Sequence, residues 1–144
     1  MLFRSDLDIP GDLRLRAARA TQGSPYMLQL IGYNIGNRCK TGEHVTPEQV
    51  DGAIEASKAD FENDVCETTL AALSDQDVAF LDAMTDDEDA VSRISDVAKR
   101  MSVTPDYAQK YRRRLIDAGV IEQARRGYVR FAVPYMADYL RSQL

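Results

Sequence analysis

Ser95-Asp96-Val97-Ala98-Lys99-Arg100-Met101-Ser102-Val103 runs directly into Thr104-Pro105-Asp106-Tyr107-Ala108-Gln109-Lys110-Tyr111-Arg112-Arg113-Arg114-Leu115-Ile116-Asp117-Ala118-Gly119, and these two words decide the fold. In the first, Val97, Ala98 and Met101 share a helical face, and Ala98 is small enough for a second helix to approach closely. Ser102 occupies the tight turn where glycine is common, and Val103 plugs it. Thr104 and Pro105 then cap and start the next helix, on which Ala108, Tyr111 or Arg112, and Leu115 lie on one side. The other side is polar, with Asp106, Gln109, Lys110, Arg113 and Asp117, flanked by Tyr107 and Arg114. Gly119 ends the helix in a left-handed conformation that other residues tolerate poorly. The pair is a helix-turn-helix.

Outward from that pair, Val120 and Ile121 begin a short strand, Arg125-Arg126-Gly127 supplies a turn, and residues 128–133 alternate so that Val129, Phe131 and Val133 share a face. This pattern predicts a two-stranded, basic wing closed by Pro134. Tyr135, Met136, Tyr139 and Leu140 give a last amphipathic helix that packs on the body or on a second copy. Upstream, Ser74-Asp75-Gln76-Asp77 offers a Ser cap with an acidic residue at the third helical position, followed by Val78, Phe80, Leu81 and Met84 on one face. Residues 85–89, Thr-Asp-Asp-Glu-Asp, read as a solvated charge block, because the alternating spacing and glycine of a calcium loop are missing.

A polar, arginine-rich helix of this kind suits the major groove of duplex DNA, where Arg bonds a guanine edge and Gln an adenine edge while further cations neutralise phosphates. Gln109, Lys110 and Arg113 are the candidates for base contact, Tyr107 and Arg114 flank them, and Arg125 and Arg126 at the wing tip are candidates for phosphate contact. Between residues 95 and 131 nine basic residues face four acidic ones, whereas the rest of the chain is acidic.

The first half is also helical. Leu13 to Ala20 are mostly Ala, Leu and Arg, and the run stops near Thr21-Gln22-Gly23. Ser24 and Pro25 start a second helix with Met27, Leu30, Ile31 and Ile35 at helical spacing. After a polar loop, Thr46-Pro47-Glu48-Gln49 has the form of a capping box, and Val50, Ala53, Ile54, Ser57 and Phe61 continue an apolar stripe. No Gly or Pro interrupts the chain from Gly52 to Pro105, so this helix is expected to run long. The join between the halves is expected in the acidic stretch 60–69, with residues 1–68 and 69–144 as the two domains.

Composition sets outer limits. At 144 residues, 44% hydrophobic and formal charge −5, the chain can bury one or two small cores. It has no apolar run near the roughly 20 residues of a membrane span and no signal-peptide pattern, so a cytoplasmic location away from membranes is expected. Cys39, Cys66 and His44 form neither a disulfide framework nor a recognisable metal spacing. No catalytic constellation stands out.

Thr21-Gln22-Gly23-Ser24-Pro25-Tyr26-Met27-Leu28-Gln29-Leu30-Ile31-Gly32, then Val45-Thr46-Pro47-Glu48-Gln49-Val50 with Ala53-Ile54, resembles the helical lid of bacterial AAA-type ATPases related to origin-recognition ATPases. Leu73-Ser74, residues 111–121 and Phe131-Ala132-Val133-Pro134 look like the winged-helix domain that follows the lid in that family. The resemblance implies a mainly α chain, a lid subdomain followed by a winged helix-turn-helix, corresponding to the C-terminal part of a longer ATPase. ATP and Mg are then expected on an upstream ATPase core, because this chain has no P-loop. Lys40-Thr41 mimics the end of one, but Cys39 stands where glycine is required. The lid arginine that senses nucleotide in many relatives is replaced by Tyr26, so no cofactor-binding residue is assigned. Besides duplex DNA, the partners expected are that core and a possible second copy in a homo-oligomer. Two other readings remain: the winged unit as a protein-docking or oligomerisation module, and the chain as a self-contained transcription regulator.

Overall fold

A computed structural model describes residues 8–39, 42 and 44–143 and divides the chain into two compact units, Met1–Asp64 and Val65–Leu144. The first is built from α1 (Gly11–Ala20), α2 (Pro25–Arg38) and α3 (Pro47–Phe61). Both later helices begin as their sequences demand. The Ser24 hydroxyl accepts from the Met27 amide at 3.2 Å with Pro25 in the first turn, and Thr46 and Gln49 close a capping box. Leu13 and Ala17 of α1, Met27, Ile31 and Ile35 of α2, and Val50, Ala53 and Phe61 of α3 form the core. One polar link lies in this core: Asn34 Nδ2 donates to the buried Ser57 hydroxyl at 2.9 Å, which donates to the Ala53 carbonyl at 2.7 Å. Arg16 pairs with Asp51 across α1 and α3 at 3.0 Å.

The helical backbone continues past Phe61 through a π-helical segment, Glu62–Glu67, into α4 (Thr68–Ala71). The absence of Gly and Pro permits this length, and the division between the units falls inside the π-helical segment.

The second unit contains α5 (Asp75–Met84), β1 (Val91–Arg93), α6 (Ile94–Met101), α7 (Pro105–Asp117), β2 (Ile121–Arg125), β3 (Tyr128–Phe131) and α8 (Met136–Ser142). It is a winged helix: three helices, α6 and α7 forming the helix-turn-helix, with β2 and β3 as a two-stranded wing. Strand β1 adds to the expected pattern, pairing antiparallel with β3 so that the order is β1-β3-β2. Ser92 lies opposite Val129, and Glu122 opposite Arg130. Phe80, Leu81, Met84, Val97, Ala98, Ala108, Leu115, Ile121, Val129, Met136 and Leu140 close the core. Each large one of these contributes about 1.5–3 kcal/mol by leaving water.

Two turns aim α7. Ser102 sits at φ +59, and the Val103 and Ser102 amides bond back to Ala98 and Lys99, so serine fills the left-handed position of a helix C-terminus. Gly119, at φ +77, repeats the motif after α7, with the Val120 amide on the Leu115 carbonyl at 3.0 Å.

Candidate nucleic-acid interface

The 3.6-residue period divides α7 into two sides. Ala108, Tyr111 and Leu115 are buried against the unit, while Asp106, Gln109, Lys110, Arg113 and Asp117 are exposed. With Arg114 these exposed residues line an open depression of about 480 Å³. Because all six come from one helix, it is a gap between side chains rather than a chamber for a small molecule. Thr104 fixes where this face begins, its hydroxyl accepting from the Tyr107 amide at 3.2 Å.

Arg114, though more than half exposed, is fastened to its own unit. Its Nε and Nη2 donate to the Asp77 carboxylate at 3.2 and 3.0 Å, and Asp77 is only 1% exposed. Asp77 also accepts from the Ser74 hydroxyl at 2.8 Å and closes the capping box of α5. The Arg114 guanidinium, opposed by burial and helped by Ser74, holds the Asp77 carboxyl below the usual carboxylate range. Arg114 therefore joins α7 to the start of α5.

Arg100 behaves likewise. It grips Asp87 with two bonds of 2.7 and 3.0 Å and donates to the Ala83 carbonyl at 3.0 Å. Ser92 donates to the same carboxylate at 2.7 Å, and Arg141 donates to the Thr85 and Asp87 carbonyls. Arg100 first, and Ser92 as well, keep the Asp87 carboxyl below its ordinary value against the effect of burial. The expectation of a solvated block over residues 85–89 is corrected here: Asp86, Glu88 and Asp89 are exposed or nearly so, but Thr85 is buried and Asp87 is tied into the unit.

On the wing, Arg130 pairs with Glu122 at 2.8 Å, and Arg112 of α7 donates to Gln123 at 3.2 Å. Arg125 stacks over the Tyr128 ring at 3.9 Å, an arrangement that holds its guanidinium in place while leaving its charge available. Arg126 is exposed beside Gly127, whose φ of +81 makes the turn. Tyr107 is 40% exposed, with its hydroxyl 3.3 Å from that of Tyr111.

The seven residues picked from sequence thus fall into three groups. Gln109, Lys110 and Arg113 come together on the outer face of α7, Arg125 and Arg126 lie at the wing turn, and Tyr107 and Arg114 flank the outer face on α7, with Arg114 paired to Asp77. Among the described residues, the side chains of Gln109, Arg113 and Arg126 make no hydrogen bond or ion pair, and Lys110 makes only a contact with the Tyr111 ring at 5.7 Å. Sequence reasoning missed the Asp77 partner. Its capping position was readable, but nothing local signals an arginine 37 residues further on.

No group of His, Cys, Asp and Glu among the described residues could hold a metal ion, and none of their helices is long and apolar enough to cross a membrane. Lys40 and Thr41, read from sequence as the mimic of a P-loop end, lie outside the described residues. A family model described as Domain of unknown function (DUF8462) matches residues 63–140, more than half of the chain, and the chain belongs to that family. No curated protein and no solved structure matches it.

Proposed function

We propose that the winged unit binds duplex DNA in the cytoplasm, with the outer face of α7 in the major groove and Arg125 and Arg126 on phosphates. The observation that carries this reading is the partition of cations. Arg100, Arg114 and Arg130 are paired with carboxylates of the same unit, whereas Lys110, Arg113 and Arg126, where a helix-turn-helix and wing meet DNA, make no ion pair among the described residues. Residues 65–144 hold thirteen Asp and Glu against eleven Lys and Arg, so attraction to arbitrary DNA is weak and falls steeply with salt. In this reading the chain binds rather than catalyses, and the lid-like first unit connects it to an ATPase core that holds ATP and Mg.

Fluorescence anisotropy of labelled duplexes, from about 50 to 200 mM salt, tests the reading. Binding at low salt that is lost when Gln109, Lys110 and Arg113 are all replaced by Ala supports it. No binding at low salt, or binding untouched by the triple substitution, rejects it in favour of a protein-docking role for the same face.

A further inference from the structure

Asp106 stands on the proposed DNA-reading face without a partner. It is exposed, lines the same depression as Gln109, Lys110 and Arg113, and among the described residues makes no hydrogen bond or ion pair. Its environment differs from that of Asp77 and Asp87, which are anchored by arginines. A free carboxylate in the first turn is favoured by the helix dipole. Yet on a face that approaches phosphates it also repels them, so for DNA binding it is a cost unless it meets a donor.

In the major groove the available donors are the exocyclic amines, cytosine N4 and adenine N6, while guanine O6 and N7 and thymine O4 present only acceptors. The spacing along α7 gives this an order. Asp106 and Arg113 are seven residues apart on one side, about 10 Å along the helix axis at roughly 1.5 Å per residue. That is the length of about three stacked base pairs at roughly 3.4 Å each. Gln109 lies between them.

We propose, resting on the DNA-binding reading above, that Asp106 is a specificity-determining residue: it accepts from an exocyclic amine at one edge of a short site whose other edge offers guanine to Arg113, and it rejects sequences that put an acceptor in its place. Gln109 meets an adenine between the two. The carboxylate makes arbitrary duplexes poor ligands, and the discrimination of the interface comes from bases more than from charge.

In vitro selection from a randomised duplex pool with the full chain, repeated for Asp106→Ala, tests this. The expected result is a wild-type site with cytosine or adenine fixed at one position about three base pairs from a guanine. In the variant, preference at that position alone falls about tenfold while affinity for a random duplex at low salt rises a few-fold. Thermal unfolding of the variant separates a helix-dipole role. If melting falls while the selected site keeps all its preferences, Asp106 serves only α7 and the proposal is wrong. If the wild-type chain binds duplexes with no base preference, the proposal is also wrong but DNA binding stands. If no duplex binds, both readings fail together, an outcome distinct from either of the others.

Discussion

On the side of α7 that faces α5, an arginine meets a buried carboxylate; on the side that faces solvent, the arginine immediately before it meets nothing among the described residues. Arg113 and Arg114 are chemically the same and one residue apart, and a 100° turn of the helix separates an internal fastening from a free charge. Counting basic residues along the sequence therefore overstates what the surface offers, because Arg100, Arg114 and Arg130 are already paired within the unit. What remains for a partner is a small set whose geometry, not number, must do the recognising.

The largest effect is expected where that comparison is broken from the inside. Asp77→Ala removes both the cap of α5 and the anchor of Arg114, and should cost at least the roughly 1 kcal/mol of a lost cap. Denaturant unfolding measures it. A double-mutant cycle with Arg114→Ala should show the two losses to be strongly non-additive, and strict additivity would mean the pair contributes nothing.

The same seam has a pH signature. Asp77 and Asp87 are both held below their ordinary carboxylate values by arginines, so their stabilisation is complete above the unfolded carboxylate pKa, about 3.9. It is lost as pH falls through the lower folded values. Stability followed by circular dichroism should drop below about pH 4, and Asp77→Asn with Asp87→Asn should start lower and flatten that fall. An unchanged acid limb in the double variant would place the acid sensitivity elsewhere.

Next in size is the direct contrast between the neighbours. Arg113→Ala should leave unfolding nearly unchanged, weaken binding to a preferred duplex about tenfold or more and relax the preference for guanine at its position. Arg114→Ala should lower stability, since it strands the buried Asp77, and leave the base preference of the remaining binding as it was. Equal losses of guanine preference in the two variants would erase the distinction between the sides of α7.

Much of the framework was legible because its signals are local. The capping boxes at Thr46 and Ser74, the cap at Thr104 and the left-handed positions at Ser102 and Gly119 depend on residues three or four apart, and all are present. Strand β1 was not legible: Val91–Arg93 is too short to alternate, and its partners, Tyr128 to Arg130, lie more than thirty residues later. A similar distance, 37 residues, hid the pairing of Asp77 with Arg114, and 13 residues in another element hid that of Asp87 with Arg100. In each case the sequence shows a charge, and only the packing of α5 against α6 and α7 shows whether it is spent.

The smallest effect is expected at the turn that aims both sides of α7. Ser102 adopts a left-handed conformation that costs a residue with a Cβ about 1–2 kcal/mol, while glycine there would lose more freedom on folding, about 0.4–1 kcal/mol. Strain relief exceeds the entropy, so Ser102→Gly should stabilise the unit by about 0.5 kcal/mol. Gly119→Ala makes the opposite change at the corresponding position after α7. A Cβ there meets no atom within 4 Å, so its cost is backbone strain alone and its sign should be reversed. Both variants leave the exposed side chains of α7 unaltered, so the contrast in guanine preference between Arg113 and Arg114 should persist in the Ser102→Gly background. If it vanishes there, the two sides of α7 are set by the strain at this turn rather than by the fastening of Arg114 to Asp77.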